Sequence, residues 1–295
     1  MVTILGVPLQ ALLGQLLVGA INGGFYALLS LGIAIIFGML HIINFAHGAL
    51  YMMGAFMAWI LLNYFGLNFW FALVIAPIVV GLVGIVLERT LLSRLYNQDH
   101  LYNLLLTFGL GLIIVGLFRI GFGGSGKPYS PPEALMGALN LGFMFLPVYR
   151  GFVLAVALVS CLVVWLVIER TRLGAYLRAA TENAEIVEAF GINVPLLIAL
   201  TYGGGVALAG FAGVLAAPIY SVYPNMGHDL MIIVFALVVI GGLGSIFGAI
   251  VTGFSLGIIE GLTKVFYPEA STTVVFVLMA VVLLVKPAGL FGKEA

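Results

Sequence analysis

An all-α, polytopic membrane protein with eight or nine transmembrane helices is the fold class this sequence predicts, and three observations carry it. Of the 295 residues, 63% are hydrophobic and 7% charged, against roughly 25% charged in water-soluble domains, so lipid must be the solvent for most of the surface. The mean hydropathy is +1.26. Most apolar stretches have the length of a helical crossing, about 20 residues, and a continuous run such as Met231 to Ile240 lacks the alternation of a barrel strand.

The apolar stretches fall at 11–38, 42–62, 68–87, 101–118, 150–168, 195–217, 230–243, 246–266 and 271–285. Nine crossings place the N-terminus outside and the C-terminus inside. With eight, one short run (42–62 or 230–243) is broken or re-entrant. No Lys or Arg precedes Arg89. Positive charge is retained on the cytoplasmic side, which assigns Arg89, Arg94, Arg170, Arg172, Arg178, Lys286 and Lys293 to that face and leaves Arg119, Lys127, Arg150 and Lys264 outside. The reading is a single membrane domain over 1–295, with an outer loop at 119–149, irregular over 121–140, and an inner segment at 169–194. The N-terminus lacks the basic region of a cleavable signal peptide.

Several chemistries lack their residues. The lone Cys161 lies in an apolar run and supports neither a disulfide framework nor a cysteine metal site. Residues 121–128, Gly-Phe-Gly-Gly-Ser-Gly-Lys-Pro, imitate a phosphate loop. Pro128 replaces the magnesium-binding hydroxyl, no strand precedes the glycines, and Pro131 and Pro132 prevent the required helix. The histidines His41, His47, His100 and His228 never fall at i, i+4, the helical zinc spacing. No nucleophile elbow is visible. The expectation is therefore a non-enzyme without cofactor or metal, and the zero net charge carries no nucleic-acid signature.

Glycine supplies 39 residues. Gly19 and Gly23, Gly244 and Gly248, and Gly253, Gly257 and Gly261 recur four apart, giving helix faces on which backbones approach closely. Polar groups inside spans are costly and mark candidate pathway positions: Asn22, Asn44, His47 and Glu260, beside the small-residue positions Gly244 and Gly257. Glu260 is read either as a structural pair or as a pathway group, with Lys264 one turn on as its partner. Asn44-Phe-Ala-His47 echoes Asn225-Met-Gly-His228, each before an apolar run, as in transporters built from repeats.

Within the inner segment, Thr181 is expected to cap a helix carrying Glu182, Glu185 and Glu188, with Ile186, Val187 and Phe190 on an apolar side and Gly191 ending it. Its acids disfavour an anionic membrane surface and favour docking to a cytoplasmic protein.

Three segments together carry a family resemblance: Ile43-Asn-Phe-Ala-His-Gly-Ala-Leu-Tyr-Met-Met-Gly54; Arg172-Leu-Gly-Ala-Tyr-Leu-Arg-Ala-Ala-Thr-Glu-Asn183 with Gly191-Ile-Asn193; and Val239-Ile-Gly-Gly-Leu-Gly-Ser-Ile-Phe-Gly-Ala249. The chain resembles the LivH-type permease of bacterial branched-chain amino acid ABC importers over almost its whole length. The resemblance implies a multi-pass subunit of the inner (cytoplasmic) membrane. It also implies a second, LivM-like permease, two cytoplasmic ATPases and an extracytoplasmic substrate-binding protein. It assigns ATPase coupling to Arg172, Gly174, Arg178, Glu182, Asn183, Ile186, Val187, Phe190 and Gly191, although Glu188-Ala-Phe-Gly191 is shorter than the importer pattern E-A-A-x-x-x-G. Related permeases serve urea or short amides, and the added segment usual in the urea type is missing here. A stand-alone secondary transporter is the reading from another class.

Overall fold

The computed structural model describes residues 3–4, 7–96 and 98–292. Eleven helices appear among them: α1 (Leu9–Leu40), α2 (His47–Phe65), α3 (Phe69–Thr90), α4 (His100–Phe122), α5 (Val148–Arg170), α6 (Arg172–Glu182), α7 (Ala184–Ala189), α8 (Val194–Ala216), α9 (Met226–Gly241), α10 (Ile246–Phe266) and α11 (Thr273–Val285). Seven are long and apolar enough to cross a membrane; α9 and α11 are shorter apolar helices. At 1.5 Å per residue the 16 residues of α9 reach about 24 Å, less than a hydrocarbon core of about 30 Å.

The chain alternates direction so that α1 begins at one end of the bundle and α11 finishes at the other. One end gathers Arg89, Arg94, Arg170, Arg172, Arg178 and Lys286; we call it the basic end. The opposite end holds Arg119, Lys127, Arg150 and Lys264. This is the division that the distribution of charge predicts. Lys293 lies outside the described residues.

Two places depart from simple crossings. α1 ends at His41, whose φ of 53° is left-handed, and α2 starts only at His47, five residues later than the hydrophobic run begins. The intervening segment is non-helical yet largely buried, so its backbone groups need partners. Thr107 of α4 supplies contacts to two: its hydroxyl accepts from Phe45 N–H at 3.2 Å and lies 3.2 Å from the Ile43 carbonyl, which shares the hydroxyl's one proton with the Leu104 carbonyl at the same distance. Asn44 accepts from Ala46 N–H at 3.1 Å and turns the chain into α2. The counterpart is 217–225, which leads from α8 into α9.

The helices that flank these two interruptions pack in a matching pattern. α1 packs along α10 as α8 packs along α3, and α2 meets α9. A Cβ on Gly32 would meet the Gly205 carbonyl and one on Gly205 would meet that of Gly32; Gly48 and Gly227 stand in the same reciprocal relation.

The seams are glycine tracks. On α1, Gly19 and Gly23 lie against the backbone of α10 around Gly253 and Gly257, while Gly261 faces Gln15 and Gly19. Lipid supplies no hydrophobic drive between helices, so close backbone packing must hold them together. Outward-facing positions of α4 such as Leu105, Leu112, Ile113 and Leu117 stay exposed, as a chain dissolved in lipid requires.

The loop after α4 is more ordered than expected. In place of a wholly irregular 121–140, Ala138–Asn140 pairs with Phe145–Pro147 as an antiparallel hairpin, and Lys127 exchanges backbone bonds of 2.8 and 3.0 Å with Val222. A second short strand pair joins Thr3–Ile4 to Val7–Pro8.

Candidate functional site

The segment between α5 and α8 is built as an elbow, a helix, a break and a turn. Thr171, with an extended backbone, separates α5 from α6. Gly174 packs so tightly beneath the end of α5 that a Cβ there would collide with the Ile168 carbonyl. That carbonyl also accepts from Arg178 Nη1 at 3.1 Å, and Glu169 lies 3.8 Å from the same guanidinium. Arg178 thus braces the elbow within this chain.

The cap differs from expectation. Thr181 lies inside α6, where its hydroxyl donates to the Arg178 carbonyl at 2.7 Å. Asn183 instead breaks the helix with extended backbone angles, and its side chain accepts from Ile186 N–H at 3.0 Å, capping α7. Asn in that conformation reaches the free N–H groups of the next turn, as good N-caps do. The helix expected to start at Thr181 therefore begins only after Asn183, as α7, and Glu182 belongs to the end of α6. Gly191 ends α7 with a φ of 84°, and Asn193 caps α8 by accepting from Leu196 N–H at 2.9 Å.

Val187 is buried beneath α7, whereas Ile186 and Phe190 face outward at 55% and 82% exposure. The apolar side expected of the segment is therefore divided: one residue anchors it to the bundle and two stand free. Arg172, Glu182, Asn183 and Gly191 are exposed, and Gly174 is buried.

The six pathway candidates occupy four separate places. Asn44 and His47 lie together, fully buried at the start of α2. Among the described residues, the Asn44 amide nitrogen and both His47 ring nitrogens have no hydrogen-bond partner. Asn22 is half-buried on α1 and accepts from the Tyr220 hydroxyl at 3.3 Å. Gly257 and Glu260 sit in the α1–α10 seam: Gly257 touches Gly19 and Gly23, and Glu260 bonds Lys264 at 2.6 Å and Tyr26 at 2.7 Å. Gly244 packs on Gly38 at the basic end.

Sequence reasoning missed Glu88 and treated Glu260 as the only clear acid inside a span. Glu88 belongs to α3 and is 2% exposed. It accepts from the Tyr96 hydroxyl, and Arg89 stands 4.0 Å away. Burial, followed by the bond to Glu88, holds the Tyr96 phenol well above its ordinary range. The apolar run stops at residue 87, so only the continuation of α3 to Thr90 brings Glu88 inside. Among the described residues no group of three metal-ligating side chains is found.

Comparison with known proteins adds a second kind of observation. Residues 15–285 match the family model described as branched-chain amino acid transport system / permease component. The chain is 30% identical over 296 residues to the high-affinity branched-chain amino acid transport system permease protein LivH of Escherichia coli K12, covering 95% of this chain and 96% of LivH. It is 31% identical over 294 residues to the corresponding BraD of Pseudomonas aeruginosa, with the same coverage of both chains. LivM of E. coli K12 is 29% identical over 289 residues, which span 90% of this chain and 67% of LivM. No solved structure matches.

Proposed function

Because the chain belongs to the permease family of branched-chain amino acid transport systems, we propose that it carries branched-chain or related apolar amino acids inward as one membrane subunit of an ATP-driven importer. Its partners are a second permease of the LivM type, two cytoplasmic ATPases and an extracytoplasmic binding protein. ATP is hydrolysed by those separate subunits. The observation that carries the reading is the match to LivH and BraD across 95% of the chain. The exposed Ile186 and Phe190 beside a braced elbow support it.

In this reading the basic end faces the cytoplasm and α6–α7 meets an ATPase. Arg172, Gly174, Arg178, Glu182, Asn183 and Gly191 shape the segment; Ile186 and Phe190 make the contact, and Val187 ties it to the bundle. A force on α7 reaches α8 directly through Gly191 and Asn193. Asn22, Asn44, His47, Gly244, Gly257 and Glu260 belong to the helices that change packing during translocation. Conformational energy crosses between chains only through contacts that differ between states.

Reconstitution decides it. With all partners present, vesicles should accumulate labelled leucine only when ATP is supplied on the ATPase side. Uptake by this chain alone, without ATP, would establish a secondary transporter instead.

A further inference from the structure

A cleft of about 410 Å³ opens at the basic end, between the elbow of α5 and α6, the end of α1, the turn from α9 to α10 and the chain after α11. Its volume falls within the range of small-molecule sites, about 300–1,000 Å³. Phe37, Leu243, Phe247 and Phe291 give it apolar walls, and Glu169 and Arg178 bring both signs of charge to its rim. Phe247 meets Phe291 edge to face at a centroid distance of 5.3 Å. Arg178 and Glu169 lie 3.8 Å apart with side chains 53% and 46% exposed.

The lining selects a ligand class. A phosphate or anionic headgroup would meet a guanidinium already offset by a carboxylate, and a purely apolar ligand would make no use of the rim charges, which would keep only their bracing contacts with each other and the Ile168 carbonyl. A zwitterion uses both: its carboxylate takes the Arg178 fork, a favoured geometry, and its ammonium takes Glu169. A free α-amino acid holds these charges one carbon apart, with the side chain projecting toward the aromatic walls.

We propose that this cleft binds a free α-amino acid with an apolar side chain from the cytoplasm, and that occupancy slows the importer. The second part rests on the proposed function. A ligand seated here links the elbow that begins the coupling segment to the α9–α10 turn, and so restrains α6 when an ATPase pulls on it. The accumulated product thereby signals its own abundance.

Two measurements test it. In the first, the purified full chain in lipid nanodiscs is titrated with labelled L-leucine, with L-leucinamide and 4-methylpentanoate as competitors lacking the carboxylate or the ammonium. Saturable binding displaced by unlabelled leucine, resisted by both analogues and lost in Leu243→Trp, which fills the cleft, is expected. Equal displacement by either analogue, or no binding, overturns the site whatever the importer does.

In the second, vesicles holding the complete importer enclose ATP with millimolar leucine or either analogue on the ATPase side. Enclosed leucine should lower initial import and ATP hydrolysis by about fivefold, the lower end of ordinary allosteric coupling, and the analogues should not. Phe247→Ala should remove the inhibition while its unloaded rate stays that of the parent. Vesicles that import normally yet ignore enclosed leucine overturn the regulation. If no vesicle imports leucine, the proposed function fails, while the binding titration still decides the cleft.

Discussion

The Tyr26 hydroxyl on α1 donates a 2.7 Å hydrogen bond to Glu260 Oε2 on α10, across a separation of 234 residues. Lys264 Nζ holds the other carboxylate oxygen at 2.6 Å. Both oxygens of an acid buried to 4% exposure are therefore satisfied, which ties the glycine seam laterally.

This arrangement makes the two halves of the ion pair unequal. The Lys264 side chain is 35% exposed and reaches water without its partner, whereas the Glu260 side chain is 5% exposed and does not. Lys264→Met should therefore destabilise the protein more than Glu260→Gln, because it strands a buried carboxylate. Tyr26→Phe should cost about 1–3 kcal/mol for the donor it removes. Melting temperatures in detergent check the order; equal losses for Lys264→Met and Glu260→Gln would show that the carboxylate finds water.

The seam itself predicts a contrast among glycines. A Cβ at Gly257 meets the backbone of Gly19 and Gly23, while one at Gly204 meets nothing within 4 Å. Gly257→Ala should destabilise by about 1–3 kcal/mol through overpacking, and Gly257→Leu should block assembly or transport. Gly204→Ala should be neutral. Thermal melts and transport by the inserted variants measure this, and a neutral Gly257→Leu would remove the seam from the account.

Topology can be read by labelling. Ser125 and Glu185 are both exposed at opposite ends of the bundle, and Cys161 is buried at 2%. Ser125→Cys and Glu185→Cys, each in a Cys161→Ala background, should react with an impermeant thiol reagent from opposite faces of the membrane. Labelling of both from one face would reverse the assignment of one end.

Phe190 separates folding from coupling. At 82% exposure it contributes little to the fold, so Phe190→Ala should insert and melt like the parent. As an interface anchor its truncation commonly costs about 2 kcal/mol or more, so ATPase association and substrate-stimulated hydrolysis should fall. Gly191→Val should act more severely, because a φ of 84° disfavours a β-branched residue. Asn183→Ala should loosen α7 by about 1 kcal/mol through loss of its cap, seen as faster amide exchange over 184–189. Wild-type coupling in both Phe190→Ala and Gly191→Val would exclude α7 as the contact.

The sequence alone determined the features that depend on neighbours along one helix and on the solvent. Lipid demands long apolar runs, so the nine stretches and the two-ended division of Lys and Arg were legible. The pair Glu260 and Lys264 comes from i, i+4 spacing, and Gly191 as a helix stop comes from the freedom of glycine. Tertiary structure alone decided which glycine track meets which, that Tyr26 completes the shell of Glu260, that Glu88 is buried, that Thr107 steadies the break before α2, and that Asn183 rather than Thr181 begins α7. The physical reason is that spacing along a helix fixes a face but not the partner of that face. The partner depends on helix rotation and register, which emerge only when every backbone group and buried charge has been satisfied together.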